Sequence, residues 1–180
     1  DDRNKAAADG HFGVFYLGAD YVVSPWLLIG ALVQYDTMQQ RSVTQAFDIK
    51  GSGWMAGPYA TVRLSENIFL QGRLAAGRST NEVSPFLTYT DTFSTKRWLA
   101  SSTLVGRWQV GNWQIQPSAS ISYIEDVSEA YTDSVGVAIP GLKVSLGQFK
   151  VGAQLRHRHL LANGTVLEPR FAAEVIWNFA

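Results

Sequence analysis

The chain contains no cysteine. Disulfide scaffolds and thiolate metal sites are therefore excluded. It also lacks any apolar run long enough to cross a membrane as a helix. Hydrophobic residues make up 46% of the chain, yet the mean hydropathy is −0.03. The most apolar stretch, Tyr21 to Val33, is broken by Ser24-Pro25. It falls short of the roughly 20 residues that a spanning helix needs. An excess of one charge is missing too: 15 Lys+Arg balance 15 Asp+Glu, and the pI is about 7.0. With no basic run, nothing directs the chain to nucleic acid. No signal peptide stands at Asp1, so the chain is expected to be a mature protein or a fragment.

What is present is alternation. From Asn112 to Tyr123 every second residue is polar: Gln114, Gln116, Ser118, Ser120, Ser122. The intervening positions hold Trp113, Ile115, Pro117, Ala119, Ile121 and Tyr123. A strand sends successive side chains to opposite faces, so this segment has one wet face and one apolar face. Trp113 and Tyr123 bracket the apolar face ten positions apart, as Trp98 and Trp108 do just upstream. Ten strand steps cover roughly 33 Å, or about 25 Å along the normal at a tilt of about 40°. That matches the apolar band of an outer-membrane barrel with an aromatic girdle at each interface.

The same pattern recurs along the chain. Residues Asp1 to Gly10 are charged, Ala-rich and unpatterned. Strands are expected over about 13–23, 27–35, 51–64, 68–79, 96–110, 112–123, 144–160 and 167–179. Tight turns at Ser24-Pro25-Trp26, Ser65-Glu66-Asn67, Gly111-Asn112 and Ala162-Asn163-Gly164 alternate with polar connections over 37–48, 80–94 and 125–142. The Gly111-Asn112 hairpin would pair Trp108 with Ile115, Leu104 with Ala119 and Arg107 with Gln116, like face with like. Pro58, Pro117 and Pro169 fall on the apolar face, each without the N–H that a ladder uses. The fold class is therefore all-β: an antiparallel up-and-down transmembrane barrel, with about eight strands present over residues 11–180.

The faces sort the candidate residues. Expected to line a hydrated lumen are Asp20, Asp36, Arg63, Arg73, Arg97, Arg107, Gln116, Arg156, Glu168, Arg170 and Glu174. Expected at the lipid interfaces are Tyr35, Trp54, Trp98, Trp108, Trp113, Tyr123 and Trp177. Lumen charge serves either as a hydrated, ion-paired wall or as a basic surface for an acidic helix or passing segment. No enzyme is expected. Glu168 and Glu174 share a face about 20 Å apart along a strand, too far for paired-carboxylate hydrolysis. His157 and His159 fall near a tight turn on the outward face. No metal site, cofactor, phosphate loop or nucleophile triad is found.

Gly18-Ala19-Asp20-Tyr21 followed by Ser24-Pro25 resembles the translocator barrel of autotransporters. So do Gly53-Trp54-Met55-Ala56-Gly57-Pro58-Tyr59, the stretch Gly72 to Ser79, and Tyr131-Thr132-Asp133-Ser134 leading to Ile139-Pro140. The resemblance runs from Gly13 through nearly the whole chain. It implies a twelve-stranded outer-membrane barrel closing a type V secretion protein. Its partners would be outer-membrane lipid, its own passenger domain and pore helix, and the barrel-assembly machinery. Short turns on the periplasmic side would leave both chain ends on the external rim. Strands are therefore expected before Gly13 and after Ala180. Two alternatives stay open: a small passive outer-membrane pore or structural barrel, and a soluble ligand-binding cup with its apolar face inside.

Overall fold

The computed structural model describes residues 8–42 and 46–180, and every element in them is a strand. The long strands are β1 (Ala8–Ser24), β2 (Leu27–Ser42), β3 (Phe47–Arg63), β4 (Ile68–Pro85) and β5 (Asp91–Gly106, resumed at Trp108–Val110). β6 (Trp113–Ser128), β7 (Lys143–His157) and β8 (Arg170–Phe179) follow. They form one antiparallel sheet in chain order. Among the described residues the sheet does not close: β1 pairs only with β2, and β8 only with β7.

The turns follow their chemistry. Gly111 has φ +59 between Val110 and Trp113, the left-handed first position of a type II′ turn. Gly164, at φ +83, closes the three-residue loop where Leu161 N–H donates to Thr165 O at 2.8 Å. The expected hairpin register holds for Trp108 opposite Ile115 and Leu104 opposite Ala119, while Arg107, outside any strand, forms no ladder pair with Gln116.

Several strand boundaries differ from the sequence expectation. The polar connections are shorter than the pattern implied, because β2 continues to Ser42 opposite Phe47, β4 to Pro85 and β6 to Ser128. Alternation marks only the part of a strand that has one apolar face. Ladder pairing continues where both faces are wet. At the start, β1 reaches back to Ala8, inside the segment expected to be unpatterned; residues 1–7 lie outside the described residues. β7 ends at His157, and His159–Leu160 pairs instead with Val166–Leu167. β8 begins at Arg170, so Pro169 stands outside the ladder and only accepts, from His157 N–H at 3.1 Å.

The two prolines inside strands leave visible gaps. The β5–β6 ladder is interrupted between Val105–Ser118 and Trp108–Ile115, on either side of Pro117. The β3–β4 ladder skips from Ala56–Ala76 to Tyr59–Arg73, beside Pro58. In each case one backbone donor is missing where the ladder breaks. Gly57 and Gly77 sit beside the second gap with the opposite backbone so close that neither site has room for a Cβ.

Burial shows which face is which. Among the described residues only Met55 and Ala75 are buried hydrophobics. Trp98, Leu104, Ile121 and Phe171 are 41%, 43%, 50% and 66% exposed. A soluble cup would bury these side chains in a dry core. The chain instead displays them outward, which overturns the soluble alternative. The other face is concave. Phe12 of β1, Asp36 of β2, Arg97 of β5 and Val144 of β7 line one cavity of about 400 Å³. Apart from glycines, the buried residues among those described are Asp36, Ser42, Met55, Ala75, Ser79 and Asp91, and all of them carry the parity of this face.

Candidate functional site

The concave wall is built around Arg97. Its position opposite Gly77 on β4 and Asp126 on β6 places it on the same face as Asp36 of β2. Arg97 Nη1 donates to both oxygens of Asp36, at 3.0 and 2.9 Å, and Nε donates to Asp126 Oδ1 at 3.2 Å. Gly53 makes the reach possible, since a Cβ there would stand 2.8 Å from Nη1. Gln34 Nε2 donates to Asp36 Oδ1 at 3.3 Å, and Arg73 Nη2 to Gln34 Oε1 at 3.5 Å. Ser79 and Thr95 join hydroxyls beneath, with Asn81 Nδ2 donating to Ser79 Oγ at 3.1 Å. The result is a charged patch across β2 to β6, with paired carboxylates and no open coordination set. Among the described residues no three metal-ligating side chains converge.

The remaining expected lumen residues are spread along this face. Asp20 accepts from Tyr59 Oη at 2.8 Å across Gly30. Arg63 holds the carbonyls of Ser65 and Glu66 at the short turn, at 3.2 and 3.4 Å. Arg107 lies 5.9 Å over the Phe69 ring while its N–H donates to Asn67 O. Gln116 stands opposite Gln154, and Glu174 opposite Gly152. Arg156 faces both Arg170 and Gln114. Glu168 is not on β8 but in the turn before it, 4.0 Å from Arg170.

Sequence reasoning missed Asp126. It lay inside a stretch read as a connection, yet it shares the polar parity of Ser118, Ser120 and Ser122, and that signal was available. Tyr59, Gln34 and Ser79 are inward by the parity of their own strands, as the sequence pattern implies.

The aromatic residues lie on the convex face. Tyr35 is opposite Trp54 near the end that bears the longer loops. Trp98 and Tyr123 pack at 4.9 Å between centroids, and Trp177 stacks on Phe149 at 5.7 Å. Trp108 and Trp113 stand at the short-turn end, where Trp113 packs on His157 at 4.5 Å.

Above the concave wall the β6–β7 connection folds back onto the rim. Its small hairpin pairs Tyr131 with Ile139. Tyr131 stacks on Phe93 at 5.6 Å and 7°. Ser134 donates through its N–H to Asp91 Oδ1 at 2.9 Å, and Tyr89 Oη donates to Asp133 Oδ2 at 3.4 Å. Burial, then the neighbouring carboxylates of Asp133 and Asp91, push the Tyr89 phenol up; burial, Asp91 and Asp133 do the same to Tyr131.

The family model described as Autotransporter beta-domain matches residues 1–180. No curated protein sequence matches. Solved structures share the fold. The beta domain of the Bordetella autotransporter BrkA aligns with a TM-score of 0.70 at 19% identity, covering 96% of this chain and 74% of that one. The transport unit of AIDA-I from Escherichia coli aligns with 0.70 at 14%, covering 95% and 62%. The translocator domain of NalP from Neisseria meningitidis gives 0.69 at 13%, covering 93% and 61%. This chain therefore spans about three fifths to three quarters of the length of these three structures. An antiparallel sheet, apolar on its convex face and charged on its concave face, agrees with the family match over all residues: the chain belongs to the autotransporter beta-domain family of Gram-negative outer-membrane barrels.

Proposed function

We propose that these strands form the greater part of a translocator barrel that anchors a passenger domain in the outer membrane and helps to export it through or beside a hydrated lumen. The concave wall carries this reading. Its residues are charged and hydroxylic, and around Arg97 they pair with one another except at Arg73 Nε, as suits a surface past which an unfolded chain slides without sticking. Asp20, Asp36, Arg63, Arg73, Arg97, Arg107, Gln116, Arg156, Arg170 and Glu174 line that lumen in the proposal, with Glu168 at its periplasmic edge. Tyr35, Trp54, Trp98, Trp108, Trp113, Tyr123 and Trp177 mark the two lipid interfaces. The unpaired edges of β1 and β8 receive further strands, toward a twelve-stranded barrel. A pore helix, the passenger and the barrel-assembly machinery are the partners, and the task is transport rather than catalysis.

The test uses the intact gene product in cells. Externally added protease should remove the passenger from whole cells while the barrel stays membrane-embedded. A folded, membrane-inserted barrel whose passenger remains protected in the periplasm would reject export. A barrel with no passenger attached at all would favour a passive pore.

A further inference from the structure

On the convex face the register arranges side chains in rows that cross several strands. One row reads Ile29, Ala60, Gly72, Ser102, Ile121; the next, toward the longer loops, reads Leu74, Ala100, Tyr123, Gly147, Phe179. The small members, Ala60, Gly72, Ala100 and Ser102, form the floor of a groove of about 830 Å³. Ile29, Leu74, Ile121 and Phe179 form its walls, and all four are exposed, from 43% to 59%. That volume lies within the range of roughly 300–1,000 Å³ typical of sites that hold a small organic ligand. The groove lies between the two sets of aromatics, where hydrocarbon covers the barrel.

A third row lies four residues further along the strands, about 13 Å away. It reads Trp54, Arg78, Lys96, Val127, Lys143. Arg78 and Lys96 stand directly opposite each other, an arrangement that is unfavourable unless an anion joins them. Glu129 is one such anion: it meets Lys96 at 2.6 Å and lies in the field of Arg78, but Lys96 and Glu129 are both about 60% exposed, and Arg78, Lys96 and Lys143 still exceed Glu129 and Glu125 by one positive charge. Lys143 meets Glu125 at 2.7 Å. Among the described residues Arg78 has no ion pair. Cations just outside an aromatic girdle, in line with an apolar groove, match a molecule with a phosphate at one end and acyl chains at the other.

We propose that this face is a binding site for one phosphate-bearing lipid of the external leaflet. Its phosphate bridges Arg78 and Lys96, and an acyl chain lies in the groove over Gly72 and Ala100. The site lies on β2 to β6 with one edge from β8, so strands added beyond β1 and β8 leave it in place. The proposal rests on the convex face meeting lipid.

The intact protein, refolded into phosphatidylcholine vesicles with or without phosphatidylglycerol, is released into mild detergent and weighed by native mass spectrometry. The wild type should retain phosphatidylglycerol in preference to phosphatidylcholine. The double variant Arg78→Gln/Lys96→Gln should lose that preference by about tenfold or more. Gly72→Leu/Ala100→Leu should lower retention of both lipids, because it fills the floor; a Cβ at Gly72 meets nothing nearer than Ser101 O at 4.0 Å. Both variants should keep the gel-mobility shift of a folded barrel. Equal retention of the two lipids by the wild type, or an unchanged preference in the Arg78/Lys96 variant, overturns the site. So does a mass showing that a second copy of the protein occupies the face. Failure of the wild type to insert into either vesicle would instead overturn the membrane reading beneath it.

Discussion

Replacing Arg97 by leucine should be among the costliest single changes on the concave wall. The substitution removes the donor from Asp36, which is 7% exposed, and from Asp126. Among the described residues Asp36 would keep only the 3.3 Å contact from Gln34. Removing one partner of a buried ion pair costs about 3–5 kcal/mol, because the other charge stays desolvated. The Arg97 side chain is 17% exposed and that of Asp36 10%, so water softens the loss toward about 3 kcal/mol. Asp126, with its side chain 36% exposed, contributes at most about 1 kcal/mol. Urea unfolding in lipid vesicles, followed by tryptophan fluorescence, measures this. Arg97→Leu should lose about 3 kcal/mol, and Asp36→Leu a similar amount. The double variant should lose clearly less than the sum, since no orphaned charge remains. Gly53→Ala, which crowds Nη1, should destabilise the wild type more than the Arg97→Leu variant, where the contacts with Ser79 Cβ at 2.9 Å and Arg78 O at 3.3 Å remain. Additive losses, or an Arg97→Leu effect below about 0.5 kcal/mol, would show that the contact contributes nothing specific.

Three further outcomes follow from the same geometry. Leu104→Arg, on the convex face midway between Trp98 and Trp108, should cost about 2–4 kcal/mol in vesicle unfolding, whereas Thr103→Arg, one residue away on the concave face, should cost under about 1 kcal/mol; equal costs would contradict the assignment of faces. Gly57→Ala and Gly77→Ala force a Cβ into the facing backbone and should prevent assembly of a heat-modifiable barrel or destabilise it by at least about 2 kcal/mol; normal assembly of both would refute the close β3–β4 approach. The Tyr89 and Tyr131 phenols are raised above their unfolded value near 10, so the rim hairpin holds fully below that pH and loosens as pH rises through the folded values. Protease cutting within 129–142 should therefore increase at high pH and show no such rise in Tyr89→Phe/Tyr131→Phe; a pH-independent cutting rate would refute the latch.

The short-turn half of the fold was legible because its chemistry is local, except at the last turn, where β7 stops at His157 and β8 starts only at Arg170. Period-two alternation, Gly111-Asn112 and Asn163-Gly164 defined strands, turns and register without any long-range knowledge. The loop-side half was not, because β2, β4 and β6 run on where both faces are wet and alternation stops carrying information. The ladder gaps beside Pro58 and Pro117 required knowing which neighbour each missing donor would have met.

The same division separates faces from contacts. The sequence alone determined that two faces exist and which residues belong to each, because side-chain direction follows from strand parity. Only the tertiary structure decided that Asp36, Arg97 and Asp126, up to ninety positions apart in the chain, meet on one wall. That depends on the curvature of the sheet and on the missing side chain at Gly53, and neither leaves a trace in the local pattern. The row of Arg78, Lys96 and Lys143 arises in the same way: parity sends each cation outward, and register alone sets them side by side.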